Sequence, residues 1–167
     1  MSKSVLAIDN GVTGTIAMLW ENGKQHFQKS PVFSVQDYTK TKSNITRIDV
    51  NKMKELLLVF ISKSIPDNMI AVLERPFKNP KFFSSTVSAM RCFEATIICL
   101  EFYNIPYMFM DSKEWQKELL PKGTMGSDVL KKASLDIGNR LFPQFQDVKH
   151  PDRDSLLMAE YVRRKGY

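Results

Sequence analysis

Apolar and polar positions along the chain change period several times, and each change marks an element. Val5-Leu6-Ala7-Ile8 is a continuous apolar run ending on Asp9, the pattern of a strand buried on both faces. Asn10-Gly11 and Gly14 give a turn, after which Thr15 to Trp20 resumes as a second strand. Asn22-Gly23 is a strong two-residue hairpin signal and predicts a third strand through about 24–33. The polar stretch 34–48, with Lys40 and Lys42, reads as a surface loop. Asp49 can then cap a helix in which Met53, Leu56, Leu57, Phe60 and Ile61 recur at helical spacing.

Past the turn residues Pro66-Asp67-Asn68, Met69 to Leu73 is again continuously apolar and ends on Glu74, as a central parallel strand does. A loop rich in Pro and Phe (75–83) leads to a helix over about 85–103 carrying Met90, Phe93, Ile97 and Leu100. Ile105 to Met110 predicts a fifth strand, and Pro106 confines it to a sheet edge or a strand start. Asp111-x-x-Glu114 is a capping box, Ser127 opens a helix running to Phe142, and Pro151 suits the first turn of a last helix ending at Arg163-Arg164-Lys165. The expected order is β-β-β-α-β-α-β-α-α-α. It predicts an α/β fold over residues 1–167 as one domain: a five-stranded mixed sheet, three strands antiparallel and then parallel, flanked by helices.

Composition narrows the classes. At 167 residues, 43% hydrophobic and 25% charged, the chain is an ordinary globular domain with room for a core. Lys and Arg exceed Asp and Glu by 24 to 18, giving +6 and a pI near 9.3, which favours a polyanionic partner such as nucleic acid. No apolar stretch approaches the roughly 18 residues a membrane span needs, and the run 5–8 is too short for a signal peptide. Cys92 and Cys99, seven positions apart on a predicted helix, stand about 10.5 Å apart and cannot pair. With His26 and His150 they form no zinc spacing either. The expectation is a reduced, cytoplasmic protein.

Three acids occupy telling places: Asp9 after the first strand, Glu74 ending the central parallel strand, and Asp154 in the first turn of the last helix. Functional side chains of open α/β sheets gather outside strand ends. Clustered carboxylates need a compensating cation, and their hard oxygens suit Mg²⁺ or Mn²⁺. Each acid also has an ordinary structural role open to it: Asp9 as a turn former, Glu74 in an ion pair with Arg75, Asp154 on the helix dipole. No Ser–His or Cys–His pattern offers a nucleophile with its base.

Asp9-Asn10-Gly11-x-x-Gly14, Val72-Leu73-Glu74-Arg75-Pro76-Phe77 and Asp152-Arg153-Asp154-Ser155-Leu156-Leu157-Met158-Ala159 resemble, in order and place, the three acidic motifs of RuvC-type Holliday-junction resolvases, whose fold is RNase H-like. Ser112 to Lys117 and Leu141-Phe142-Pro143 are similar to segments of the phage-type members, so the likeness spans about 4–164. It implies a homodimer, in a bacterial cell or phage-infected host, that hydrolyses DNA at four-way junctions with two Mg²⁺ ions per site, Mn²⁺ substituting. Two ions about 3.5–4 Å apart would serve an in-line displacement. Asp9 would bridge them, with Glu74 and Asp154 each favouring one. The family often carries a second acid three residues before the last one; here that position is Pro151. Asp152 is the preferred replacement because magnesium favours anionic oxygen over a neutral imidazole. His150, which would share a helix face with Asp154, is the alternative.

The resemblance also assigns DNA contacts. Phe77 matches an aromatic that wedges into the junction centre, with Lys78 and Lys81 flanking it on phosphates; Phe82 and Phe83 are expected to pack in the dimer or the core. Lys117, Lys131 and Lys132 match lysines near the scissile backbone. The helix at 85–103 has apolar positions beyond one stripe and is the expected dimer face. Three other readings stay open. Asp9-x-Gly11-x-Thr13 also fits the first phosphate loop of actin-like ATPases, although the chain has seven Gly and no second Gly-rich loop. An RNase H-like nuclease for other DNA or RNA substrates would share fold and metal site. A junction-binding protein with decayed chemistry would not be expected to keep all three acids.

Overall fold

The structure, a computed structural model, describes residues 3–40, 42–64, 68–77 and 79–167. Among the described residues seven strands and five helices follow in the order β1 (Ser4–Ile8), β2 (Thr15–Leu19), β3 (Gln25–Lys29), β4 (Val32–Gln36), β5 (Asn44–Ile48), α1 (Val50–Ile61), β6 (Met69–Glu74), α2 (Phe83–Phe102), β7 (Tyr107–Met110), α3 (Ser112–Leu119), α4 (Ser127–Leu141) and α5 (Asp154–Lys165). Five strands form one mixed sheet in the order β3-β2-β1-β6-β7. β1 to β3 are antiparallel and β6 and β7 run parallel to β1, as the sequence predicts.

β1 is buried along its whole length because it sits at the centre with a packed layer on each face. Val5 and Ala7 face a core completed by Trp115 of α3 and by Leu156, Leu157, Met158 and Val162 of α5. Leu6 and Ile8 face the opposite core, with Met53, Leu57 and Phe60 of α1 and Cys92, Cys99 and Leu100 of α2. Among the described residues, no helix is long and apolar enough to cross a membrane.

Local signals act where they were expected. Gly23 takes a left-handed φ of 82° in the β2–β3 turn, and the Trp20 and Lys24 backbones close it. Asp49 Oδ1 accepts from Lys52 N–H at 3.1 Å and caps α1. Glu114 accepts from Asp111 N–H at 2.9 Å at the start of α3. β7 is an edge strand beginning just after Pro106, whose carbonyl accepts from Ala71 N–H. The turn expected at Pro66-Asp67-Asn68 lies partly outside the described residues.

Three expectations need correcting. The stretch 34–48 is not a loop throughout: β4 and β5 pair with each other, Val32 opposite Ile48 and Val35 opposite Ile45, in a separate hairpin packed on α2. The third strand expected over 24–33 therefore breaks at Ser30-Pro31 into β3 and β4. The last helix begins at Asp154 rather than at Pro151, so Asp152 and Arg153 lie ahead of it in an irregular connection.

Candidate active site

The first two acids meet because of strand register. Ile8 of β1 pairs with Leu73 of β6, so Asp9 and Glu74 emerge side by side at the carboxyl ends of two parallel central strands. The β1–β2 turn folds back closely over Asp9. A Cβ on Gly14 would lie 2.0 Å from the Asp9 carbonyl oxygen, so only glycine fits there. α5 crosses this end of the sheet, tied by a 2.8 Å hydroxyl contact between Thr15 and Ser155, and delivers Asp154 in its first turn.

Asp9, Asp152 and Asp154 each present a carboxylate oxygen within 4.8 Å of the others. The two-residue spacing of Asp152 and Asp154 would separate them on a regular helix. It does not do so here, because Asp152 precedes α5 and its Oδ1 accepts from Asp154 N–H at 3.4 Å. Glu74 stands beside this group. Its Oε2 is buried without a hydrogen-bond partner, and the buried Trp115 indole N–H is also unpartnered. The indole lies near enough to act on Glu74 and lower its pKa, without hydrogen-bond geometry between them.

The electrostatics are those of acids crowded out of water. Burial, then the charges of Glu74, Asp154 and Asp152, push the Asp9 carboxyl well above its ordinary range, with Lys131 opposing. Burial, followed by the charge of Asp154, raises Glu74 to about 7. Burial and Asp152 raise Asp154 to about 6, against the Ser134 hydrogen bond, His150 and Lys131. Arg75 does not relieve Glu74; it pairs with Asp111 at 3.3 Å on the surface.

The sequence reading missed the groups that hold the acids in place. Ser134 Oγ, buried on α4, donates to Asp154 Oδ1 and accepts from Arg153 N–H at 3.0 Å. Arg153 is almost fully buried, and its guanidinium binds Asn139 and the carbonyls of Phe145, Val148, His150 and Asp152 at 2.9–3.2 Å. Gly138 makes room for it, since a Cβ there would lie 2.3 Å from the Arg153 Cβ. His150 Nε2–H donates to the Thr13 carbonyl at 2.9 Å, bracing the last connection against the β1–β2 turn, while Nδ1 faces Asp152 Oδ1 at 3.2 Å. Both imidazole nitrogens are thus engaged. None of these roles has a local sequence signature.

Of the expected DNA residues, Phe77 is 79% exposed in a cleft of about 440 Å³ beside Glu74, together with Asn10, Phe82, Ser85 and Ala89. Phe82 and Phe83 are 64% and 73% exposed and not part of the core. Lys81 is exposed on a short 3₁₀ turn at Pro80–Phe82; Lys78 lies outside the described residues. Lys131 acts on both Asp9 and Asp154, whereas Lys132 and Lys117 are exposed on α4 and α3.

The donor set fits a hard divalent cation: the clustered ligating groups are carboxylates, and a buried Glu74 oxygen beside them has no partner. The sequence matches no protein-family model, and no curated protein matches it. The fold is that of RuvC. The chain superposes on Thermus thermophilus RuvC in complex with a Holliday junction substrate at a TM-score of 0.61 and 12% identity, covering 98% of this chain and 96% of that one. For T. thermophilus RuvC in a second structure the TM-score is 0.52, at the same identity and coverage. At 12% identity the likeness is one of fold.

Proposed function

We propose that residues 1–167 form a single RuvC-like endonuclease domain that hydrolyses phosphodiesters of branched DNA, four-way junctions above all, with Mg²⁺ or Mn²⁺ and as a homodimer. The observation that carries this reading is the convergence of Asp9, Glu74, Asp152 and Asp154 at the strand ends of this fold, with one Glu74 oxygen buried and unpartnered.

In this reading the four carboxylates hold the metal ions. When bound, a pair of divalent ions supplies charge stabilisation for an in-line displacement at phosphorus. Ser134 fixes the Asp154 carboxylate, and the connection clamped by Arg153 and His150 fixes Asp152. Lys131 faces the acids from α4 and suits the scissile phosphate. Phe77 projects beside the acids, where opened base pairs would stack on it, and Lys78, Lys81, Lys117 and Lys132 would follow the phosphates. Met90, Ile98 and Phe102 leave an exposed apolar strip on α2 that suits pairing with a second copy.

The test offers the protein a mobile four-way junction, a fork, a flap, a linear duplex and RNA, with and without Mg²⁺. Cutting of the junction is expected, lost in EDTA and in Asp9→Asn and Asp154→Asn, with junction binding by both variants kept within about threefold because affinity comes from phosphate contacts. Normal cleavage by both variants, or preference for linear duplex or RNA, overturns the assignment.

A further inference from the structure

A second cleft, of about 580 Å³, opens between α3 and α4, a volume in the usual range for a small-ligand site. Lys113 and Lys117 of α3 and Lys122 of the connecting turn line it, and its apolar surface comes from Leu120, Met125 and Leu130. Among the described residues no carboxylate lines it. Among the described residues no Asp or Glu pairs with these three lysines: Glu114 is turned to the start of α3, and Glu118 pairs with Lys165 of α5. The connection is tightly wound, with Thr124 Oγ1 donating to the Pro121 carbonyl at 2.6 Å and Gly123 and Gly126 at φ of 82° and 88°. That winding leaves Met125 78% exposed.

The cleft and the groups that act on the acid cluster are carried by the same two helices. Trp115, on the inner side of α3, faces Glu74, and Lys131, next to Leu130 on α4, acts on Asp9 and Asp154. A strand leaving the acids along these helices would meet three unpaired ammonium groups around an apolar recess. Phosphates match the former, and an unstacked base matches the latter. A duplex offers no free base, so the matching ligand is a single-stranded segment.

We propose that the α3–α4 cleft is a nucleotide subsite for single-stranded DNA continuous with the acid cluster, with Lys113, Lys117 and Lys122 on phosphates and Met125, Leu120 and Leu130 against one base. This rests on the nuclease reading for its biological use, but binding tests it without cleavage. The experiment measures affinity of the intact Asp154→Asn protein, without divalent metal, for a fluorescent single-stranded oligonucleotide and for the same oligonucleotide carrying abasic sites. Base-bearing DNA is expected to bind about fivefold more tightly, at the low end of what base burial on a side-chain platform gives. Met125→Ser should erase that difference.

Lys113→Ala/Lys117→Ala/Lys122→Ala should lower the slope of log affinity against log salt by about 2, at about 0.7 for each phosphate no longer neutralised. All four altered side chains are exposed or line the cleft surface, so thermal melts should match the parent. Equal binding of base-bearing and abasic DNA, or an unchanged salt slope in the triple variant, overturns the subsite. Junction cleavage that persists despite either result leaves the nuclease reading standing; a base-dependent cleft in a protein that cuts nothing removes only the nuclease reading.

Discussion

Glu74→Gln should make the metal-free protein more stable, and increasingly so as pH rises. The folded chain holds the Glu74 proton up to about pH 7, against an ordinary value of 4.5. Between those values the native state binds more protons than the unfolded one, so raising pH through the window costs stability. The difference of about 2.5 pH units corresponds to a cost on the order of 3 kcal/mol at pH 8 and about 1 kcal/mol at pH 5. A glutamine has no proton to lose and keeps the side chain's shape. For a domain of this size, about 2–4 °C accompanies each kcal/mol, so the variant should melt roughly 6–12 °C above the parent at pH 8 in EDTA, and only a few degrees above it at pH 5. Saturating Mg²⁺ should then stabilise the parent by about 2.7 kcal/mol at a hundred times its Kd while leaving the variant nearly unmoved. Calorimetry at the two pH values, with and without Mg²⁺, reads all four melts. A variant no more stable than the parent at pH 8, or a gap that does not widen between pH 5 and pH 8, refutes the reading that burial and the neighbouring acids hold the Glu74 carboxyl back from ionising.

Asp152→Asn should weaken Mg²⁺ binding by at least about tenfold in a calorimetric titration, whereas His150→Ala should cost less metal affinity, since its nitrogens are spent on Thr13 and Asp152. The reverse order would make His150 the ligand. Phe77→Ala should reduce cleavage of a four-way junction by about tenfold while changing linear-duplex binding less than twofold, because stacking of about 1–3 kcal/mol per base is available only where bases open; equal losses on both would remove the wedge role. Gly14→Ala should lower thermal stability by more than Gly23→Ala, since its Cβ would strike the Asp9 carbonyl and nothing lies within 4 Å of the other. Similar melting of the two variants would mean the turn over Asp9 yields easily.

The frame of this fold was legible because its signals are local. Asn22-Gly23, the Asp49 cap, the uninterrupted apolar runs of β1 and β6, and Pro106 each constrain the chain within a few residues. The β4–β5 hairpin was not, for a physical reason. Among the described residues its strands pair only with each other and are half-exposed, and the cross-strand apolar pairs Val32–Ile48 and Val35–Ile45 fall three residues apart along each strand. Period-two alternation is therefore broken, and the polar residues between them read as loop. The start of α5 was misplaced because Pro151 favours a first helical turn, whereas the Arg153 side chain, drawing in the carbonyls of His150 and Asp152, holds that stretch out of the helix.

The same guanidinium shows why the acids could be read from the sequence and their control could not. Arg153 sits between Asp152 and Asp154 in the chain, where charge pairing with either would be the simple expectation. Instead its hydrogen bonds go to one amide oxygen and four backbone carbonyls, and none to a carboxylate. Asp154 is held by a neutral hydroxyl from Ser134, and the cation that acts on both Asp9 and Asp154, Lys131, approaches from an exposed position on α4. A buried Arg–carboxylate pair would have satisfied the cluster internally and lowered its proton affinity. Spending the arginine on the backbone fixes the geometry of the acids while leaving their negative charge uncompensated. Burial first, and the neighbouring acids after it, raise Glu74 to about 7 and Asp154 to about 6, and a proton affinity of this kind is the property a site needs if a divalent cation is to displace the protons.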